Sequence, residues 1–218
     1  MTIRKIKKGE ENIIDEIVQI HLESFRGFFL TFLGKEFLST MYSTYYSHEE
    51  SGILIATDDE DKVVGFLAYS ENMSSLYRYM IKKKLLLFAW YSTGAILRRP
   101  KIFTRLLRAL KKPRESERGI KYVELSSIGV SSNARANEIG TLLIDRLKQT
   151  VDLTKHAYIT LETDADNNSE VNAFYLKNGF TAFREYTTRE GRRMYEYRYS
   201  ANDTETTTEK NGQLQEAI

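Results

Sequence analysis

The sequence of 218 residues contains no cysteine. This absence excludes disulfide bonds, thiolate nucleophiles and thiolate metal sites. Histidine is also scarce, and His21, His48 and His156 are too far apart in the sequence to form a ligand pair at the usual spacing. We therefore predict no metal site, and we expect each histidine to lie at the surface or at the boundary of the core.

A long apolar segment is lacking as well. The apolar run Leu85–Leu97 covers thirteen residues and is interrupted by Ser92, Thr93 and Gly94, so it is too short to cross a bilayer. The first residues do not have the pattern of a secretion signal. These features indicate a cytoplasmic protein.

The sequence does contain enough apolar residues for one substantial core. Hydrophobic residues make up 41% of the chain, which suits a single α/β domain with an insertion. We predict one domain over residues 1–199, with a basic helical insertion at 72–120. The polar stretch 200–218 has no aromatic residue, and it is expected to be a disordered tail.

The net charge of +2 conceals a strongly basic segment. Between Leu76 and Arg118, thirteen basic residues stand against two acidic ones. Within this segment, Lys101–Lys112 has the period of a helix with one apolar and one basic face. One interpretation is a helical hairpin that packs on the core and leaves its charges in water. The other is a surface for peripheral contact of 76–118 with an anionic membrane, or for an anionic acceptor.

The first half of the chain has the pattern of a strand, two helices and a hairpin. The acidic turn Asp58–Asp61 separates the two strands of the hairpin. The predicted elements are a strand at Thr2–Ile6, helices at Glu10–Phe25 and Gly34–Ser47, and strands at Gly52–Ala56 and Lys62–Tyr69.

The segment after the insertion predicts a strand that leads through a tight turn into a helix. Val123–Val130 reads as the strand, Arg135–Gly140 as the turn, and Ile139, Leu143 and Leu147 recur at helical spacing. Amide groups at the start of a helix are unpaired and carry partial positive charge. The turn is therefore suited to a phosphate group, although any strand–helix unit contains such a turn.

A second strand and helix follow. Tyr158–Thr163 predicts a buried strand, and Asp164–Asn168 supplies turn and capping residues before a helix. Asn178 and Gly179 end that helix, and Phe180 begins the next strand.

These two segments together resemble the GCN5-related N-acetyltransferase (GNAT) superfamily. Its first motif is Arg/Gln-x-x-Gly-x-Gly/Ala, and here Arg135 and Gly140 occupy its ends. Its second motif is Asn-x-x-Ala-x-x-x-Tyr-x-x-x-Gly-Phe, matched by Asn168, Tyr175, Gly179 and Phe180, with Val171 in place of alanine. The resemblance implies an α/β (α+β) fold, in which helices flank a mixed, mainly antiparallel sheet and a helical insertion separates strands 3 and 4.

The resemblance also implies an N-acetyltransferase that uses acetyl-CoA as co-substrate and a primary amine of a small molecule as acceptor. Tyr175 would give a proton to the departing thiolate, and Glu124, on the fourth strand, would be the base. Glu162, on the fifth strand, is the second candidate base. The implied cofactor-binding residues are Ile128, Gly129, Val130, Arg135, Ala136, Asn137, Glu138, Ile139, Gly140, Thr141, Asn168 and Tyr175.

Each of these roles has a structural alternative. Tyr175 could be a core residue, Glu124 a partner in a salt bridge, and Asn168 simply the cap of its helix. Glu138 stands where the family has glycine, and its carboxylate would repel a pyrophosphate unless it points to solvent. A non-catalytic protein that binds acyl-CoA or a membrane surface is therefore the alternative function.

The acceptor side is less specific. Ser24–Gly34 is rich in phenylalanine, and in this fold the corresponding region lines the acceptor pocket, although core packing explains such residues equally well. The segment and the basic insertion are similar to those of acetyltransferases that act on surface-polysaccharide sugars, so an amino sugar is one candidate. No nucleic-acid partner is expected, because the basic segment lacks interleaved aromatic residues. The oligomeric state stays open, a dimer included.

Overall fold

The computed structural model describes residues 1–98 and 120–201. These residues form seven strands: β1 (Thr2–Lys5), β2 (Ser51–Thr57), β3 (Val63–Ser70), β4 (Val123–Val130), β5 (Ile159–Asp164), β6 (Thr181–Thr187) and β7 (Arg193–Tyr199). The strands make one sheet in the order β1-β2-β3-β4-β5-β7-β6. Neighbouring strands are antiparallel except for β4 and β5, which are parallel.

The same residues contain five α-helices: α1 (Ile13–Ser24), α2 (Lys35–Ser47), α3 (Met73–Arg98), α4 (Ile139–Thr150) and α5 (Ser169–Lys177). Successive strand residues point to opposite faces of the sheet. In β2, Ile53 and Ile55 therefore face a core with α1, α2 and α3, whereas Leu54 and Ala56 face a second core with α4 and α5. Apolar residues on both faces explain why the hairpin strands β2 and β3 read as nearly continuous apolar runs.

The predicted fold class and the order of the elements are confirmed. Most boundaries differ by a single residue, and the largest difference is at α1, which begins at Ile13 and not at Glu10. The Glu10 carboxylate accepts hydrogen bonds from the Arg4 guanidinium and from the Lys7 amide. These bonds hold the residues before α1 in a turn, and the helical period of the sequence does not predict them.

The predicted insertion is described in part. Residues 73–98 form one long helix, and Phe88 in this helix packs against Phe37 of α2 with ring centroids 4.9 Å apart. The predicted amphipathic helix 101–112 and most of the predicted tail lie outside the described residues. No helix within 1–98 or 120–201 is long and apolar enough to cross a membrane.

Two histidines are more buried than the sequence led us to expect. His21 is only 3% exposed and His156 only 6%. His21 follows Ile17 and Ile20 on the apolar face of α1, so the helical period carries it into the core. The expectation of a surface or boundary position is wrong for both residues.

A glycine in β3 permits the close packing of α4 on the sheet. A Cβ atom added at Gly65 would lie 2.8 Å from Cγ2 of Ile139 and 3.4 Å from Cδ1 of Leu143.

We expect Gly65→Ala to lower the free energy of unfolding by about 1–3 kcal/mol, because the added methyl group overpacks this contact. Gly94→Ala is the matched control, since a Cβ there meets nothing within 4 Å and alanine favours a helix. Urea unfolding of both variants would check this. A Gly65→Ala protein as stable as the wild type would contradict the tight packing of α4.

Candidate active site

The site is a cleft at the centre of the sheet, where β4 and β5 separate. The two strands pair only through Val123 with Ile159 and Glu124 with Thr160, and beyond these pairs they diverge. A cavity of about 810 Å³ occupies the opening and extends to the end of α1 and the starts of α4 and α5. Because the backbone groups along the opening have lost their strand partner, they are available to a ligand.

The opening is lined by alternate amides of β4. The Ser131 amide donates to the Val64 carbonyl at 2.8 Å, and hydrogen-bonded positions alternate along an antiparallel pair. Ile128 and Val130 therefore direct their backbone groups away from β3 and into the opening. The Ser24 hydroxyl donates to the Val130 carbonyl from that side, at 3.3 Å.

Gly129 contributes in another way. It lies opposite Phe66 in the β3–β4 ladder, and the alternation directs its amide towards β3. A Cβ at Gly129 would lie 2.9 Å from the Phe66 ring and 3.3 Å from Oγ of Ser24. The absence of a side chain therefore lets the end of α1 approach the wall of the cleft.

The start of α4 forms one end of the cleft. Residues 132–137 make a short 3-10 helix that includes Arg135, Ala136 and Asn137, and α4 follows at Ile139. Its first internal bond runs from the Leu142 amide to the Glu138 carbonyl, at 3.1 Å, so the amides of the first turn have no acceptor within the helix. Gly140 and Thr141 line the cavity at this point.

Glu138 has a left-handed backbone conformation. Its φ is +52° and its ψ is +17°, in the left-handed region that glycine adopts without steric cost. Its side chain is exposed and meets the Lys177 ammonium group at 3.2 Å. Both residues line the edge of the cavity, so a carboxylate and an ammonium group flank the start of α4.

Tyr175 lies where α5 borders the cleft. Its ring contacts Phe174, Phe180 and Tyr197, with centroids 5.3–5.9 Å away, and the residue lines the cavity while being only 6% exposed. Burial raises the pKa of the phenol well above its usual value. The hydroxyl group is therefore protonated at neutral pH and can donate a proton.

The two candidate bases share one face of the sheet. Glu124 lies opposite Thr160 in the last parallel pair, and Glu162 lies two residues beyond Thr160, so all three side chains project to the same side. Glu162 lines the cavity. Glu124 is buried behind the apex of the opening and does not belong to the cavity wall.

Glu124 nevertheless has an indirect connection to the cleft. Burial raises the pKa of Tyr45 well above its usual value, and the Glu124 carboxylate raises it further, whereas a hydrogen bond from Ser126 opposes the shift. Ser126 is the extra residue of a bulge in β4, since Ala68 pairs with Ser127 and Tyr69 with Leu125. Ser126 lines the cavity, so Tyr45 lies near both Glu124 and a residue of the cleft.

Asn168 does not cap α5 through its side chain. Its amide group instead donates to the Thr163 hydroxyl at 2.8 Å and to the Asp164 carbonyl at 3.0 Å. The Asn172 amide group also reaches the Asp164 carbonyl, at 3.2 Å. These bonds fix the start of α5 to the end of β5, on one side of the cleft.

Sequence reasoning missed His21 as a residue of the site. His21 lines the cavity together with Ser24 and Phe25, and its Nδ1 atom lies 2.6 Å from the Tyr42 hydroxyl. The one available signal was its place on the apolar face of α1, and that signal indicates burial but not a cleft.

Comparison with known proteins identifies the family. Residues 14–180 match the acetyltransferase (GNAT) family. The chain belongs to this family. It is an acetyltransferase, and the sheet that opens between β4 and β5 is the GNAT fold. No curated protein is significantly similar to it in sequence.

Solved structures of acetyltransferases share the fold at low sequence identity. Aminoglycoside 6'-acetyltransferase type Ii is 16% identical, with a TM-score of 0.60 and coverage of 92% of this chain and 97% of that one. Ribosomal-protein-alanine N-acetyltransferase from Brucella melitensis is 15% identical, with a TM-score of 0.57 and coverage of 92% and 99%. The ribosomal-protein-S18-alanine N-acetyltransferase from Escherichia coli is 14% identical, with a TM-score of 0.53 and coverage of 90% and 91%.

Proposed function

We propose that this GNAT protein transfers an acetyl group from acetyl-CoA to the primary amine of a small molecule. The observation that carries the proposal is the cleft itself, which brings free backbone groups of β4, the start of α4 and the buried phenol of Tyr175 together around one cavity. A thioester, a pyrophosphate and a departing thiolate need these three kinds of group.

The cofactor is expected to lie along β4 and to end at α4. The pyrophosphate would accept hydrogen bonds from the first amides of α4, from Ile139 to Thr141, and from the turn that contains Arg135, Ala136 and Asn137. The pantetheine arm would pair with the backbone groups of Ile128 and Val130, much as a further strand pairs with a sheet edge. This arrangement brings the thioester between the separated strands.

Tyr175 would supply the proton for the leaving group. The amine nitrogen forms a bond to the thioester carbonyl carbon, the carbon–sulfur bond breaks, and the phenol proton passes to the sulfur. Because burial favours the neutral phenol, Tyr175 holds this proton until a thiolate begins to form.

Glu162 is our first candidate for the base that receives a proton from the amine. It lines the cavity on the same face of the sheet as Glu124, and no side chain needs to move for it to reach the cleft. Glu124 stays the second candidate, because it is buried outside the cavity wall and could act only through an intervening group or water.

The charge of the cavity wall favours a cationic acceptor. Four acidic residues and two basic residues line it, the acidic ones being Glu138, Glu162, Asp164 and Glu170 and the basic ones Lys177 and Arg192. The Arg192 guanidinium donates hydrogen bonds to both carboxylate oxygens of Asp164, each at 2.7 Å. The acidic residues outnumber the basic ones by two, so an ammonium group would be attracted to the cavity. An amino sugar is one acceptor of this kind.

Removal of the Glu138 charge should strengthen coenzyme A binding. We expect Glu138→Gln to lower the dissociation constant by about threefold to tenfold, because a carboxylate disappears and the Lys177 ammonium group becomes free to face the pyrophosphate. Glu138→Gly should bind coenzyme A with a similar dissociation constant, and it should also remove the steric strain of the left-handed backbone conformation. Calorimetry at low and high salt would measure the effect, and a dissociation constant equal to that of the wild type would place the pyrophosphate elsewhere.

Loss of the Tyr175 hydroxyl should slow the chemical step. We expect Tyr175→Phe to lower kcat by about 100-fold or more while the affinity for acetyl-CoA changes little, since the ring and its packing are kept. Steady-state kinetics with an amine panel would measure the effect, with Tyr199→Phe as a control outside the cavity wall. Wild-type protein that binds acetyl-CoA but acetylates no amine would favour the non-catalytic function.

The two glutamates can be separated by their effect on the pH profile. We expect Glu162→Gln to remove the acidic limb of the kcat/KM profile, because the group that must be ionised is lost. Glu124→Gln should keep that limb if Glu124 acts only indirectly. The reverse pattern would assign the base to Glu124.

A further inference from the structure

His21 combines deep burial with an unsatisfied ring nitrogen at the wall of the cleft. Its side chain is 3% exposed, and Nε2 is a buried atom with no hydrogen-bond partner among the residues that the structure describes. Buried polar atoms are nearly always paired, and an unpaired one is destabilising. Because His21 lines the cavity, a ligand bound there could supply the missing partner of Nε2.

The other ring nitrogen is fixed by a hydrogen bond to a buried tyrosine. Nδ1 lies 2.6 Å from the Tyr42 hydroxyl. Burial raises the pKa of Tyr42 and the nearby Ser127 side chain lowers it, and Ser127 is a residue of β4 that lines the cavity. Tyr42 is completely buried. The imidazole is thus held in one orientation, as a recognition group requires.

Either partner can donate in this bond, so two arrangements are possible. If Tyr42 donates to Nδ1, then Nε2 carries a proton and is a donor; if Nδ1 donates to the Tyr42 oxygen, then Nε2 is an acceptor. A hydroxyl group can satisfy either arrangement because it both donates and accepts. Burial lowers the pKa of His21 to about 4. The ring is therefore neutral at pH 7 in both arrangements.

The wall around His21 is aromatic and has room to rearrange. The Phe25 ring lies against the imidazole with centroids 4.6 Å apart, and the Phe28 ring lies 5.7 Å from that of Phe25. Phe28 lines the cavity although its side chain is 45% exposed. Gly27 and Gly34 have φ values of +84° and +93° and no neighbour within 4 Å of an added Cβ, so the backbone here can change conformation with little steric penalty.

We infer that His21 is a specificity-determining residue, whose Nε2 pairs with a neutral hydroxyl group on the amine substrate when that substrate displaces the Phe25 ring. The substrate class is a primary amine with an apolar body and a hydroxyl group. The apolar body lies against Phe25 and Phe28, and the ammonium group is directed to the acidic part of the wall. The inference rests on the proposed amine acetylation and defines its acceptor.

The test compares three amines that differ only in a hydroxyl group: 2-phenylethylamine, tyramine and 2-amino-1-phenylethanol. We expect the wild-type enzyme to favour at least one hydroxylated amine by about tenfold in kcat/KM, the value of one good hydrogen bond. His21→Asn keeps a polar group at the position of Nδ1 but none at Nε2, so it should lose this preference. His21→Gln places an amide at the position of Nε2 and should restore part of it.

Nuclear magnetic resonance of ¹⁵N-labelled histidine gives a readout that does not require turnover. The His21 signals are assigned by their absence from His21→Asn, and the signal of Nε2 should move when the favoured amine is added to the complex with coenzyme A. Thermal unfolding shows that the variants are folded. His48 and His156 are internal controls, because neither lines this cavity.

Two outcomes would overturn the inference: an equal preference in the wild type and in His21→Asn, or a His21 signal that none of the three amines moves. Failure of the proposed function looks different. In that case coenzyme A binds and none of the amines is acetylated, while the Nε2 signal still reports whether a hydroxylated amine meets His21. A His21 signal that moves without turnover supports the binding role of His21 and argues against amine acetylation.

Discussion

The separation of β4 from β5 after two residue pairs is the constraint on which the rest of the site depends. Elsewhere in the described sheet the ladders run for four to seven positions, so only here does a central strand lose its partner midway. Backbone groups in the middle of a sheet would otherwise be buried and unpaired, which is costly. The cavity between the strands lets a ligand or water satisfy them. If β4 and β5 paired along their full length, the cavity would disappear even though every side chain stayed the same.

Hydrogen bonds from two helices reach the ends of β4 and β5 where these strands have separated. Asn168 and Asn172 both donate to the Asp164 carbonyl at the end of β5, and Ser24 at the end of α1 donates to the Val130 carbonyl at the end of β4. Each bond satisfies a group near the wide end of the opening from outside the sheet. The helix α1 is therefore attached to the end of β4, and α5 is attached to the end of β5.

The sequence predicted those parts of the site that depend on local pattern. The β4–α4 turn and the helix with Tyr175 have strong periodicity and characteristic end residues, and the structure has both elements at the predicted places. The face on which Glu124 and Glu162 project could not be predicted, because it depends on the register between β4 and β5 and on the bulge at Ser126. His21 was missed because a histidine on an apolar helical face has the same pattern whether its ring ends in a sealed core or at a cavity wall.

The bulge at Ser126 joins these observations. Because Ser126 is the extra residue, both it and Ser127 turn towards the α1 and α2 side, where Ser126 lies near Tyr45 and Ser127 near Tyr42. An unbulged strand would point one of the two hydroxyls to the opposite core. Two buried tyrosines of α2 thus lie behind the cleft, Tyr45 near Glu124 and Tyr42 hydrogen-bonded to His21. One added residue in β4 therefore places a polar layer, in an otherwise apolar core, directly behind the wall where an acceptor would bind.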